Sequence, residues 1–462
     1  MSAIAIQRHN KAGIYSVLMK RPHNSLKSAF WLHLGLFIFA LAGTCLAQEA
    51  SKRMEELVQP FADAQVFMGS VLVAQHGKVL FDKSYGYADL EWNVPNSFTT
   101  RFNIASITKQ FTAAAILLLE ERGKLKTDDF ITKYLPDAPS PWDKITIYNL
   151  LTHTSGISDD AAKYTPGTPD SLALLNKPLR SQPGEKYFYV DTGYLVLGYL
   201  IERISGQTYT DFVQENIFKP LGMNDSGMFS FVTVTPRRAA GYWPGSYGIE
   251  NAERPDARIG FSSGSLYSST EDLLRWETAL FGGKLLSPAS LQKMTTPFRS
   301  NYACGLQVNR VNGKLVIEHG GNNIGFNAHL AYYPEDQLTV AVLANLNGTV
   351  VGKIASALAA VAHGEAVTLA PPLKAITIAP EVLDSYAGTY QFPNYTVTMK
   401  PEGNHLVADF DDGARIIFFA ESATKFFDKT WGIELEFSKD ENGKSIYVTR
   451  RQEEKNETGK KE

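Results

Sequence analysis

Between Ala105 and Arg122 the apolar residues Ile107, Phe111, Ala115, Leu118 and Leu119 recur at helical spacing until Gly123 stops them. This spacing predicts a long helix with one side committed to a core. Such a helix has to be covered by other elements, and the chain offers them before and after it. Met68 to Gln75 and Lys78 to Tyr85 are apolar stretches around His76-Gly77, which signals a hairpin. Residues 192–205 predict a second amphipathic helix ended by Gly206, and Ser269 with Asp272 predicts a capping box opening a third. Later, Lys314 to His319, Ala328 to Tyr333 and Leu338 to Asn345 read as three strands of an antiparallel meander.

After residue 362 the character changes. Pro371, Pro372 and Pro380 punctuate a stretch without helical periodicity, and Glu402-Gly403-Asn404, Asp412-Gly413 and Asn442-Gly443 mark turns between short β-rich runs. The expected organisation is a large unit over 48–365, a linker over 366–379, a small barrel-like antiparallel β-domain over 380–450 and a charged, disordered tail over 451–462. About 70 residues of β-domain are too few to hold much of a core without leaning on a neighbour.

At the other end, Lys20, Arg21 and Lys27 precede the apolar run Ala29 to Gly43, and Ala47 offers a cleavage point before Gln48. That is the pattern of a secretory signal over 1–47, too short in its apolar part for a membrane span. Lipid attachment at Cys45 ranks below simple export, because Thr44 is a poor residue ahead of such a site. Removing the signal takes away Arg8, Lys11, Lys20, Arg21 and Lys27 and no acids, leaving 40 basic against 48 acidic residues, a formal −8. The expected mature chain is exported, acidic, without a membrane span and without a basic footprint for nucleic acid. With Cys45 and Cys304 the only cysteines, a disulfide framework and thiolate-built metal sites are excluded, and no His-Glu-x-x-His occurs. Cys304 reads as a small buried residue.

A serine three residues ahead of a lysine on a helix puts hydroxyl and amine on one face, so an unprotonated amine can take the serine proton during attack on a carbonyl. Three such pairs occur: Ser106 with Lys109, Ser290 with Lys293, and Ser422 with Lys425. Only Ser106 opens the long apolar helix, where N-terminal amides face a developing oxyanion, so the other two read as solvated surface pairs. Further on, Pro183-Gly184-Glu185 leads into the run Tyr187 to Tyr194, which contains Tyr189 and Asp191, and Glu318-His319-Gly320-Gly321 lies on the meander.

With these residues in view, the sequence resembles the serine β-lactamase-like family, the group of class C β-lactamases, DD-peptidases, D-aminopeptidases and related esterases. The resemblance runs over residues 54–362 and rests on Ser106 and Lys109, on Tyr189 to Asp191 and on His319 to Gly321. The strings Leu150 to Gly156 and Gly264 to Ser269 are similar to the family as well. It implies an α+β fold, an α/β sandwich whose antiparallel sheet is flanked by helices with a helical insertion, followed here by the small β-domain. It also implies that Ser106 is acylated and that Lys109 assists as base, with its ammonium pushed below the ordinary ~10.4. Tyr189 would pass the proton to the leaving group and later activate water, and the oxyanion would sit between the backbone amides of Ser106 and Asn322. His319 would line the cleft with Gly320 and Gly321 and touch the substrate. No metal or cofactor is required.

Two departures bear on specificity. Asp191 stands where the family most often has asparagine, and a carboxylate near Lys109 favours the charged ammonium unless Asp191 faces elsewhere or Tyr189 carries more of the proton transfer. Gly320 lacks the hydroxyl that helps hold a substrate carboxylate in the β-lactam-hydrolysing relatives, and His319 replaces a lysine. The expected substrates are therefore neutral or amine-bearing esters, amides or peptides. β-Lactamase or DD-carboxypeptidase activity is the alternative, and ligand binding without turnover the second. His153 is expected to fix its loop rather than react, and His329 to pack or face solvent.

Overall fold

The computed structural model describes residues 48–159, 176–230, 232–246, 248–253, 260–411, 413–441, 446–452 and 455–462. The expected signal, Cys45, Asp412 and the Asn442-Gly443 turn lie outside the described residues.

The hairpin forms from β1 (Gly69–Gln75) and β2 (Lys78–Tyr85), with His76 and Gly77 both left-handed at φ of 51° and 73°, as strand twist demands of a two-residue turn. The meander has four strands, β3 (Gln307–Val311), β4 (Lys314–Asn323), β5 (Phe326–Tyr333) and β6 (Leu338–Ala344), one more than the sequence pattern shows. The sheet runs β3-β4-β5-β6-β1-β2 and is antiparallel throughout. The extra strand β3, Gln-Val-Asn-Arg-Val, is the sheet's edge and needs little apolar character.

Side chains alternate across the sheet, so Ala341 and Leu343 enter one core while Val340 and Val342 enter the other. The first face is covered by α2 (Thr108–Glu121), α3 (Asp191–Ser205) and α4 (Thr270–Phe281). The second is covered by α1 (residues 48–63), through Met54, Val58 and Phe61, and by α5 (Val350–Ala362). This is the α/β sandwich.

α2 differs from its sequence pattern in one respect: every residue from Thr108 to Leu119 is buried, so the helix is wrapped on all sides. Its polar residues are accommodated by specific partners. Thr108 accepts from the Leu266 amide, Thr112 donates to the Ser262 carbonyl, and Gln110 accepts from the Trp276 indole. The third helix is capped by half of the expected box, because Ser269 accepts from the Asp272 amide while the Asp272 carboxylate is spent on Asp225, Ser226 and Arg275.

The described residues of the expected tail, 451–452 and 455–462, are not disordered. Lys455–Lys461 pairs with Ile446–Gln452 and with Gly388–Gln391, closing an eight-stranded antiparallel barrel. A strand can be built from charged residues when its backbone closes a ring and its side chains face solvent. The barrel also has its own core, in which Tyr386 of the preceding helix stacks on Phe437 with ring centroids 3.9 Å apart. The segment expected as a linker is tied to it, Ile376 donating to the Ala420 carbonyl at 2.8 Å.

One strand position sets how closely the sheet approaches the segment Ile104-Ala105 that leads into α2. A Cβ at Gly321 would collide with the carbonyl oxygen of Ile104, whereas at Gly320 the nearest atoms lie 4.0 Å away. Gly321→Ala is expected to lower stability by about 1–3 kcal/mol and Gly320→Ala to leave it nearly unchanged. Thermal unfolding of the two variants checks this, and equal behaviour would contradict the packing described.

Candidate active site

Ser106 sits on the 3-10 turn Ala105–Ile107 that leads into α2. Ala105 before it is left-handed at φ 47° and held by its amide donating to Asn103 Oδ1 at 2.9 Å. A non-glycine residue in that region costs about 1–3 kcal/mol, a local strain that the surrounding packing maintains.

One turn on, Lys109 is fully buried, and its ammonium donates to Ser106 Oγ at 3.0 Å, Asp191 Oδ1 at 2.6 Å and the Ser263 carbonyl at 2.9 Å. All three ammonium protons are thereby used. Burial pulls the group toward the neutral amine, but the adjacent Tyr189 and Asp191 outweigh it and Lys109 stays above its ordinary value. The expected downward shift of Lys109 is thus overturned, because Asp191 turns toward the lysine from the first turn of α3. That turn is capped by Asp159, which accepts from the Asp191 amide at 3.2 Å.

Tyr189 is 40% exposed, and its ring centroid lies 4.9 Å from Lys109 Nζ. Beneath it, 4.3 Å between centroids, is the ring of His153. His153 Nδ1 accepts from the Val190 amide at 3.2 Å, and its Nε2 faces Tyr302 Oη at 3.2 Å. Tyr302 Oη in turn meets His319 Nε2 at 3.0 Å, and His319 Nδ1 meets the Gly320 carbonyl at 2.6 Å.

Partner chemistry assigns every proton in this chain. An amide can only donate, so His153 carries its proton on Nε2 and gives it to Tyr302. A carbonyl can only accept, so His319 carries its proton on Nδ1, and the single Tyr302 proton goes to His319 Nε2. Both histidines are neutral: burial, then the nearby Lys109 charge, puts His153 well below its ordinary value and His319 at about 4. His153 therefore does more than fix its loop, and both ring nitrogens of His319 are bonded within the protein, which leaves its ring carbons as the part that lines the cleft.

Ser106, Tyr189, Asp191, His319, Gly320, Gly321 and Asn322 all line one open cleft of about 800 Å³, and Lys109 is buried behind Ser106. The sequence motifs thus converge in space. His329 also lines it, paired with Glu318 at 3.0 Å. The other two serine–lysine pairs are structural: Lys293 bonds Glu120 at 2.7 Å, and Ser422 Oγ accepts from the Lys425 amide at 3.0 Å. Cys304 is buried, its thiol pushed up to about 12 by desolvation. Among the described residues no cluster of His, Cys, Asp or Glu is placed to hold a metal ion, and no helix is long and apolar enough to cross a membrane. Sequence patterns had no means of pointing to the Ser263 carbonyl, a backbone group, or to Tyr302, which sits outside any motif. They also gave no sign of Thr430 and Trp431, which reach the same cleft from the barrel.

A serine on a strained turn, in contact with a buried lysine at the floor of a cleft, defines a class of serine hydrolases. The chain belongs to the beta-lactamase family, whose model matches residues 54–364, and is a serine hydrolase by that membership. A penicillin-binding protein of Bacillus subtilis (strain 168) is 28% identical over 450 residues, 87% of this chain and 97% of the relative. The octameric penicillin-binding protein homologue from Pyrococcus abyssi is similar in structure with a TM-score of 0.63 at 26% identity, covering 88% of this chain and 99% of that one. A penicillin-binding protein from Bacillus halodurans gives 0.60 at 31% identity, over 66% and 99%.

His319 is depressed in the folded chain, so its contribution to stability is complete above about pH 6.5 and is lost as the pH falls toward about 4. His319→Gln is expected to flatten the loss of stability over that interval by up to about 3 kcal/mol. Denaturant unfolding at pH 7, 5.5 and 4 checks it, and an unchanged slope would mean that His319 is charged in the folded state.

Proposed function

We propose that this chain is an exported serine acyl-hydrolase that forms an acyl-enzyme on Ser106 and prefers neutral or amine-bearing esters and amides. The observation that carries it is the 3.0 Å contact between Lys109 Nζ and Ser106 Oγ at the floor of the cleft. Ser106 Oγ attacks the substrate carbonyl, and the charge that develops on its oxygen is met by the backbone amides of Ser106 and Asn322. The serine proton leaves through Tyr189 to the departing alkoxide or amine as the old acyl bond breaks. Water, deprotonated along the same route, then releases the acid and restores Ser106.

Lys109 enters this scheme as an ammonium because Asp191 keeps it charged. Its positive charge beside Tyr189 stabilises the negative charge passing through the phenolic oxygen during transfer. The preference for uncharged substrates follows from the cleft lining: among the described residues it contains no lysine or arginine, and Gly320 offers no hydroxyl. The relatives named as penicillin-binding proteins make β-lactams the natural comparison class. Export rests on the signal-like pattern of residues 1–47.

The same Lys109–Asp191 ion pair is the one feature that favours a binding protein without turnover, since it holds the amine protonated. Incubating the protein with a fluorophosphonate probe and a short-chain ester separates the two readings. Labelling and turnover in the wild type, both abolished by Ser106→Ala, are expected; a folded wild type that does neither is a binder.

A Cβ at Gly320 meets nothing closer than 4.0 Å, so Gly320→Ser combined with Asp191→Asn supplies the missing hydroxyl and the missing amide. The double variant is expected to raise the ratio of penicillin to ester turnover by about tenfold, the worth of one good hydrogen bond to a charged group. Steady-state rates on both substrates check this, and an unchanged ratio would remove these two positions from substrate selection.

A further inference from the structure

The cleft has one wall that belongs to the barrel. Thr430 and Trp431 line it together with Thr349 and Val351 from the region where α5 begins. Trp431 is 49% exposed, and unlike the more exposed Trp92 it lines the same cleft as Ser106, so its indole face is open to a molecule bound there.

The loop that carries Trp431 is held firmly. Asp428, itself buried, accepts hydrogen bonds from the amides of Thr430, at 2.7 Å, and of Trp431 and Ile433. The Trp431 carbonyl accepts from Gln452 on the next-to-last barrel strand at 3.2 Å. Gly432, left-handed at φ 67°, lets the loop pass close to Thr349, where a Cβ would come within 3.3 Å of that side chain. The indole is thus presented to the cleft by a backbone with little freedom, at small entropic cost on binding.

The chemistry of this wall is apolar and uncharged: an indole face, a valine and two threonines. We propose that it forms a substrate subsite in which Trp431 stacks on an aromatic group of a neutral ester or amide whose carbonyl is at Ser106. The inference rests on the acyl-hydrolase reading above and narrows its substrate class. Trp431 acts in specificity and takes no part in proton transfer.

The test measures acid release by the full chain from ethyl acetate, ethyl phenylacetate and phenyl acetate, which carry no aryl group, one on the acyl side and one on the leaving side. Trp431→Ala is expected to leave kcat/KM for ethyl acetate within about twofold and to lower it about tenfold or more, through KM, for at least one aryl ester. Trp431→Phe should keep most of the aryl preference. Equal losses on all three esters, or no loss on any, overturn the subsite. If the folded wild type neither turns over any ester nor reacts with a fluorophosphonate, the hydrolase reading has failed instead. The wall is then tested by titrating phenylacetamide against the intrinsic fluorescence of the wild type and of Trp431→Phe. A quench present only in the wild type supports the subsite, and its absence overturns it.

Discussion

A single buried ammonium holds the cleft floor together. Removing a lysine charge from water costs several kcal/mol unless its hydrogen bonds are replaced. Lys109 finds three acceptors, and they come from three separate parts of the chain: the turn carrying Ser106, the start of α3 at Asp191 and the carbonyl of Ser263. Loss of any one would leave a proton of the ammonium directed at nothing. The group therefore acts as a tie among segments that packing alone brings near each other, and it explains why α2 can be buried on every side with a lysine in its first turn. Asp191 is 43% exposed at its side chain, so the pair opens to solvent on one side only. Substrate entering the cleft changes the hydration of that carboxylate directly.

The same charge orders the protons around it. A cation close to two buried imidazoles opposes a second positive charge, and burial acts in the same direction, so His153 and His319 stay neutral. Neutral histidines have one donor and one acceptor each, and the Val190 amide at one end and the Gly320 carbonyl at the other leave only one arrangement of hydrogens between them. Tyr302 links the two rings and stays a phenol because its own burial disfavours ionisation. The outcome is a fixed layer of rings under Tyr189, which locates that side chain although it is itself partly exposed.

Much of this was legible in the residues. Helical period and glycine stops located α2 and α3, apolar runs bounded by turn signals located most of the sheet, and the order Ser106, Lys109, Tyr189, His319 identified the elements that converge on the cleft. What was not legible has physical reasons. The direction of the Lys109 shift depends on which way the Asp191 carboxylate points, and spacing along the chain does not carry that. The edge strand β3 and the closing strand Lys455–Lys461 are polar because they are covered on few sides, so a search for apolar runs passes over them. Backbone acceptors such as the Ser263 carbonyl carry no residue-type signal at all.

In the proposed scheme the reaction site and its selectivity are held by different units of one chain. Ser106, Lys109 and Tyr189 are placed by the sandwich, through strain, burial and ring packing that leave little room for variation. Trp431 is placed by a loop whose backbone amides are satisfied by Asp428 within the barrel itself. A closed ring with its own core tolerates changes in a connecting loop, because no ladder hydrogen bond depends on the loop's side chains. Substitutions at Thr430 or Trp431 can thus reshape the cleft wall without disturbing the buried ammonium. Substitutions at Asp191 or Tyr302 alter charge and proton position together, so their effect on selectivity is read from the ratio of rates on two substrates and not from either rate alone.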